Sequence, residues 1–358
     1  MVGVILLHAS GSWTVTTQQV SQMGLLQTFG WSVVDFYQSV ARMGIPLFLM
    51  LTGALLLQPE KNESLRTFFR KRWNRIGLPF IFWGAAYFAW DFLVIRIPFT
   101  LSAVIWGILD GPYTQFWYLY VLIGLYLLTP ILRAFINQAD QTLLLYFVVI
   151  WLLGAAIIPV FGLLTPYQLN SNVFTITGYV GYFVLGTYLL TAQMRRSTLS
   201  ILMILGVALT GFFTYVLAAT VGGTEMYFFQ QYFSPTVILS SVMLFMLLLM
   251  FKPPVVQEGR STLVQGGSNL LVQKEISNVP PPRTNKLIKA ISANTLAIYL
   301  FHVMVLESLE NGYFGFAINR TTLNPIIEVT LMTAIVLFVS LGVILLLKKV
   351  PYLRKLIG

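Results

Sequence analysis

Two histidines are all that the 358 residues contain, and both sit in apolar runs: His8 in MVGVILLHAS and His302 in NTLAIYLFHVM. Histidine is the side chain whose proton exchanges most readily near neutral pH. An ionisable group inside an apolar segment is costly to keep and marks a functional position. A general base or a proton relay is one use of such a residue; an interior imidazole satisfied by a backbone carbonyl is the other. Arg42, in YQSVARMGIPLFLMLTGALLL, poses the same question with a permanent charge. It needs an anionic or carbonyl partner, unless it snorkels to an interface. The run FFRKRWNRIGLPF supplies Arg70, Lys71, Arg72 and Arg75. Arg72 and Arg75 are three apart and share a helix face, where two guanidiniums can grip phosphate bidentately. Anchoring beside lipid headgroups is the plainer reading of the same cluster.

The elements that must position these residues are set by composition. The chain is 57% hydrophobic and 9% charged, with a mean hydropathy of +0.79. Soluble domains carry roughly 25% charged residues, so this is an all-α integral membrane protein. The shorter alternating segments of a β-barrel are missing from the sequence. No cysteine occurs, which rules out disulfides and thiolate chemistry, and so few histidines and acids do not suggest a multi-ligand metal site. No cleavable signal peptide is expected, because the first apolar run is short and lacks a basic start.

Spans are expected near 1–10, 36–57, 76–95, 116–136, 143–163, 173–191, 199–219, 235–251, 290–308 and 325–347, a bundle of about ten transmembrane helices in one polytopic domain covering 1–358. The first span is expected to be incomplete, since some 14 Å of helix is half a bilayer. Alternating the loops from a cytosolic N-terminus leaves only Arg42, Arg96 and Arg320, of the 22 Lys and Arg, on the far side. That asymmetry obeys the positive-inside rule, so the net charge of +10 reports topology and not a nucleic-acid partner. Residues 11–35 and 97–115 read as extracytoplasmic loops, the second with a short interfacial helix. Residues 252–289, with KPP, QGGSN and VPPPR, read as a flexible cytosolic loop. Asn319-Arg-Thr matches a weak glycosylation sequon.

This topology is layered. The arginines that could hold phosphate stand at the cytosolic mouth of the third span. His8, Arg42 and His302 lie toward the other side, with Glu307 and Glu310 at the outer end of the His302 helix. His302 and Glu307 are five apart, so they are poor same-face neighbours. In QFWYLYVLIGLYLLTP an interfacial aromatic belt accounts for Trp117 and Tyr118. Pro46 and Pro130 are placed to kink helices and free backbone groups. A substrate with a phosphorylated head and a long arm could be held at one layer and react at the other.

The stretches VGVILLHAS, SVARMGIPLFLMLTGALLL, FFRKRWNRIGLPFIFW, FWYLYVLIGLYLLTPILR and ISANTLAIYLFHVMVLE resemble, in order, those of acyltransferase-3 membrane proteins, specifically the surface-polysaccharide O-acyltransferase-like branch. The resemblance spans nearly the whole chain. It implies transfer of an acyl group, usually acetyl, from a coenzyme A thioester to a hydroxyl of a cell-surface or lipid-linked glycan, in the plasma (inner) membrane of a bacterium with both termini cytosolic. On this resemblance acyl-CoA is the co-substrate, no metal is needed, and membrane lipid and the glycan acceptor are the partners. His8 matches the first-helix histidine, Arg72 and Arg75 the arginine pair before the third span, Arg42 the second-helix arginine, and His302 the histidine of the late IYL-x-H motif. The family's arginine upstream of the first-helix histidine has no counterpart here. The mechanism expected is His8 as general base, Arg42 on the oxyanion, and His302, with Glu307 nearby, orienting the reactants; Arg70 joins Arg72 and Arg75 on the CoA phosphates. A lipid-linked glycan transporter or flippase, and a catalytically inactive homologue, are the alternatives.

Overall fold

The computed structural model of the protein describes residues 1–11, 23–58, 63–98, 100–166, 178–221, 223–250, 285–319 and 323–358. Among them every regular element is helical. In chain order these are α1 (Val2–Ala9), α2 (Leu25–Ala41), α3 (Gly44–Leu56), α4 (Leu65–Arg72), α5 (Leu78–Trp90), α6 (Leu101–Asp110), α7 (Trp117–Gln138), α8 (Gln141–Leu152), α9 (Ile158–Leu164), α10 (Val180–Tyr188), α11 (Arg196–Thr220), α12 (Pro235–Met250), α13 (Lys286–Ala293), α14 (Thr295–Glu310), α15 (Pro325–Leu347) and α16 (Leu353–Leu356).

Seven helical stretches among the described residues are long and apolar enough to cross a membrane, and an eighth is formed if α13 and α14, bent by 82°, count as one. The all-α membrane fold is therefore as expected. The two remaining expected spans correspond to short helices, α1 with 8 residues and α10 with 9. Several spans start more than a turn earlier than expected, at Leu65, Leu101 and Glu225 as well as at Leu25. The second span begins at Leu25, within the stretch expected as a loop, and runs as α2 and α3 to Leu56. Arg42 therefore stands in mid-span, not near its outer end. The 252–289 loop also shortens: Asn285 caps α13, its side chain accepting from the Leu287 N–H at 3.0 Å. Residues 252–284 lie outside the described residues. The short helix expected within 97–115 is α6, which has no buried residue and exposes Leu101 and Trp106.

Proline shapes several of these helices. Pro46, in the first turn of α3, has no N–H for the Arg42 carbonyl, and the chain turns at Arg42–Met43 between α2 and α3. Pro79 and Pro159 each lie two residues after a π-turn, Trp73–Gly77 and Leu153–Ile157. Widening the helix by one residue there re-registers the carbonyls that a proline leaves without a donor.

Close packing follows from small residues. Where α3 crosses α10, a Cβ on Gly53 would lie 1.8 Å from the Phe183 carbonyl oxygen, and one on Gly186 2.0 Å from that of Met50. A large core joins α3, α5, α7, α10, α12 and α14 around Leu49, Tyr87, Leu119, Tyr182 and Leu300. A second cluster locks α1 onto α14 and α15 through Ile5, Ile298, Val305, Val329 and Val336. These two cores hold the ends of the site: the second seats α1, and α7 and α14 run through the first.

Candidate active site

His8 and His302 meet. Their ring centroids are 5.1 Å apart with an edge-to-face tilt of 64°. His302 is fully buried. Its Nδ1 lies 2.6 Å from the Tyr299 carbonyl oxygen. A carbonyl only accepts, so Nδ1 carries the proton and Nε2 is the basic nitrogen. Nε2 is buried without a hydrogen-bond partner. His8 is positioned by α1, whose buried Ile5 and Ala9 belong to the second core. Its C-terminal end is tied to α2 by Gln38 Nε2, which donates to the Ser10 carbonyl at 3.1 Å.

Arg42 joins this pair from the α2–α3 turn. Its guanidinium lies 5.5 Å from the centre of the Tyr232 ring, a cation–π distance, and is near enough to His8 for its charge to act on the imidazole. Its Nε is buried without a partner. The unpaired atoms of Arg42 and His302 are the kind of polar group that a folded interior normally satisfies. Left open, they suit a reacting group.

An aromatic wall backs the site. Tyr299 packs against His302 at 5.8 Å and Tyr118 at 5.5 Å; Tyr118 meets Trp117, and Trp117 stacks on Tyr232 at 5.7 Å. The Tyr299 hydroxyl donates to the Gln115 carbonyl at 2.6 Å, and Tyr87 to the Leu300 carbonyl at 2.9 Å. Tyr118 is 6% exposed. Tyr118 thus lines the interior and does not form the interfacial belt expected from sequence, while the half-buried Trp117 stacks on other rings of the bundle.

Glu307 does not join the histidines. Tyr113 donates to its Oε1 and Trp90 to its Oε2, the latter at 3.2 Å. Five residues along a helix is a rotation of about 140° from His302, which aims the carboxylate at α5 and the Tyr113 segment.

The arginine cluster forms a second, separate centre. Glu63 bridges three cations: Lys71 Nζ at 2.7 Å, Arg133 at 3.5 Å and Arg72 at 3.9 Å. The hydrogen bond from Lys71, assisted by the charges of Arg72 and Arg133, holds the Glu63 carboxyl below its usual range. The Arg72 and Arg133 guanidiniums lie 4.6 and 5.0 Å from the centre of the buried Phe68 ring, and Arg72 also faces Tyr126 at 5.7 Å. Arg133 Nε donates to the Leu56 carbonyl at 2.6 Å. Arg75 is exposed but its charge reaches Arg72 and Tyr126. Arg70 is exposed, with no contact to this centre among those described.

Sequence reasoning missed Glu63, Arg133, Tyr232 and Tyr299. Arg133 sits at the end of a span and looked like one more charge on the basic side. Tyr232 comes from a loop segment far from Arg42 in the chain. Three cations around one carboxylate leave a positive surplus at this end, and α7 separates the two centres: from Tyr118 to Arg133 is roughly 22 Å of helix.

A family model described as an acyltransferase domain matches residues 1–345. No curated protein matches the chain. No solved structure matches it either.

Proposed function

The chain belongs to the acyltransferase-3 family and is a membrane acyltransferase; from that premise we propose that it is an O-acyltransferase that moves an acyl group, acetyl by default, from acyl-CoA to a hydroxyl of a cell-surface or lipid-linked glycan. The observation that carries this reading is the contact of the two histidines, 5.1 Å apart, in a helix interior beside Arg42. In this reading the protein lies in a bacterial inner membrane with both termini and the Arg72 end in the cytosol, as the Lys and Arg asymmetry favours.

Acyl-CoA enters from the cytosol with its phosphates on Arg72 and Arg75, where the surplus over Glu63 favours polyanions. Its arm runs beside α7 toward His8. His8 takes the proton of the acceptor hydroxyl, and the oxygen attacks the thioester carbon. The carbonyl oxygen becomes an oxyanion facing Arg42. Collapse breaks the C–S bond, and the CoA thiolate recovers the proton from His8. The products are the glycan ester and free CoA. His302, its Nδ1–H fixed by Tyr299, orients His8 and the acceptor.

Proteoliposomes given radiolabelled acetyl-CoA and a membrane glycolipid fraction test the reading. His8→Ala is expected to lower transfer by about 10²–10⁴-fold. Label still reaching the glycolipid at the wild-type rate would overturn the assignment.

A further inference from the structure

Beside the histidine end lies a polar cluster that the steps above do not use. On α2, Asp35, Gln38, Ser39 and Arg42 follow the i, i+3, i+4, i+7 spacing that aligns side chains on one helix face. Asp35 is 5% exposed and Ser39 1%. Gln230, at the end of the 3₁₀ helix Glu225–Gln230, is 1% exposed and donates Nε2 to Asp35 Oδ1 at 2.6 Å. The other carboxylate oxygen and the Ser39 hydroxyl converge on Gly211 of α11: a Cβ there would lie 3.2 Å from Asp35 Oδ2 and 3.5 Å from Ser39 Oγ. Glycine lets both side chains sit close against the α11 backbone.

Ser39 Oγ and Gln230 Oε1 are both buried without a hydrogen-bond partner. Such an atom is costly to leave buried unless something binds it. Two elements, α2 and the 3₁₀ helix, therefore bring together a carboxylate and an amide carbonyl, which accept, and a hydroxyl, which does both. No ion pair to Asp35 is found among the described residues. A phosphate would be repelled by Asp35, whereas the hydroxyls of a sugar ring complement every one of these atoms.

The position fits as well. Asp35 lies about 10 Å along the helix from Arg42, on the side away from Leu56 and Arg133. Gln38, between them on the same face, holds the Ser10 carbonyl two residues past His8. We propose that Asp35, Ser39 and Gln230 form the acceptor subsite, binding hydroxyls of a sugar ring and presenting a further hydroxyl to His8. The subsite rests on the O-acyltransfer reading. It places the acceptor and the CoA phosphates at opposite ends of the reacting layer.

The chain has no cysteine, so a single introduced thiol is unique. Ser39→Cys in proteoliposomes of known orientation is expected to react with a membrane-impermeant methanethiosulfonate from the face opposite Arg72, and excess methyl glucoside is expected to slow that reaction. Labelling only from the Arg72 face, or protection by tetramethylammonium and not by the glucoside, overturns the subsite. In the transfer assay Asp35→Asn is expected to raise the KM for the membrane glycolipid fraction roughly tenfold or more, the loss of about 1.4 kcal/mol, with the KM for acetyl-CoA unchanged. An unchanged glycolipid KM with normal acetyl-CoA turnover overturns the subsite alone. No acetyl-CoA turnover by the wild type overturns the acyltransfer reading, and the subsite with it.

Discussion

The carbonyl oxygen of Tyr299 accepts a hydrogen bond from His302 Nδ1 at 2.6 Å, three residues away on the same helix. That bond selects the tautomer of a buried imidazole and turns its other nitrogen into an acceptor. Since the acceptor of the bond is backbone, the helix itself enforces the arrangement, and only replacement of the histidine can test it.

His302→Gln is expected to keep a side chain of similar reach but to lose the fixed basic nitrogen. Transfer should fall about 10–100-fold, less than in His8→Ala, because His302 orients and does not accept the reacting proton. The measurement is kcat for CoA release, with KM for acetyl-CoA as the control. A larger loss in His302→Gln than in His8→Ala would reverse the two roles.

Glu63→Gln frees Lys71, Arg72 and Arg133 from their shared carboxylate. If these cations receive phosphate, the KM for acetyl-CoA should drop several-fold and become steeper in its salt dependence. Glu63 has a depressed carboxyl pKa, so its pairing stabilises the fold above the unfolded value, about 4.3, and is lost as pH falls through the lower folded value. Between about pH 5 and 8 the pairing is constant, and the wild-type acetyl-CoA KM should show no step from this group. Initial-rate titrations across that range decide it.

Arg133→Ala removes the hydrogen bond to Leu56, the Glu63 contact and the packing on Phe68. A loss of roughly 2–3 kcal/mol in stability is expected, read as a lower melting temperature in detergent. Arg133→Lys should recover little, because an ammonium cannot reproduce the planar fork that serves the carbonyl and the ring together.

Gly53→Ala forces a methyl group into the α3–α10 crossing, 1.8 Å from the Phe183 carbonyl. The helices must separate, at about 2 kcal/mol or more. Folded yield and melting temperature should both fall, while Gly124→Ala, where nothing lies within 4 Å of the added carbon, should change neither.

What the sequence revealed was whatever contradicts its surroundings. His8, Arg42 and His302 stand out because a polar group in an apolar run needs a reason, and the structure gathers all three. Arg72 showed through its neighbours on a basic face. Asp35 did not show, because TTQQVSQMGLLQTFGWSVVD reads as polar loop until α2 is known to start at Leu25; Gln38 and Ser39 fell inside the expected 36–57 span, and their spacing from Asp35 to Arg42 was the available signal. Glu307 misled for the opposite reason. It enters the expected site for lying near His302 in the chain, although residues five apart make poor same-face neighbours, and the helix turns it toward Trp90 and Tyr113. Glu63 and Arg133 are 70 residues apart, and no local pattern links them.

Helix α7 carries Tyr118 beside Tyr299 at one end and Tyr126 and Arg133 at the other. It is one continuous element of 22 residues, so it acts as a gauge. The span between the polyanion grip and the reacting layer is fixed by the rise of a helix and is indifferent to loop motion. A donor arm shorter than that span would leave its carbonyl short of His8, whatever its affinity. Inserting one residue between Tyr118 and Tyr126 would turn one end by about 100° against the other, leaving each centre intact while uncoupling them.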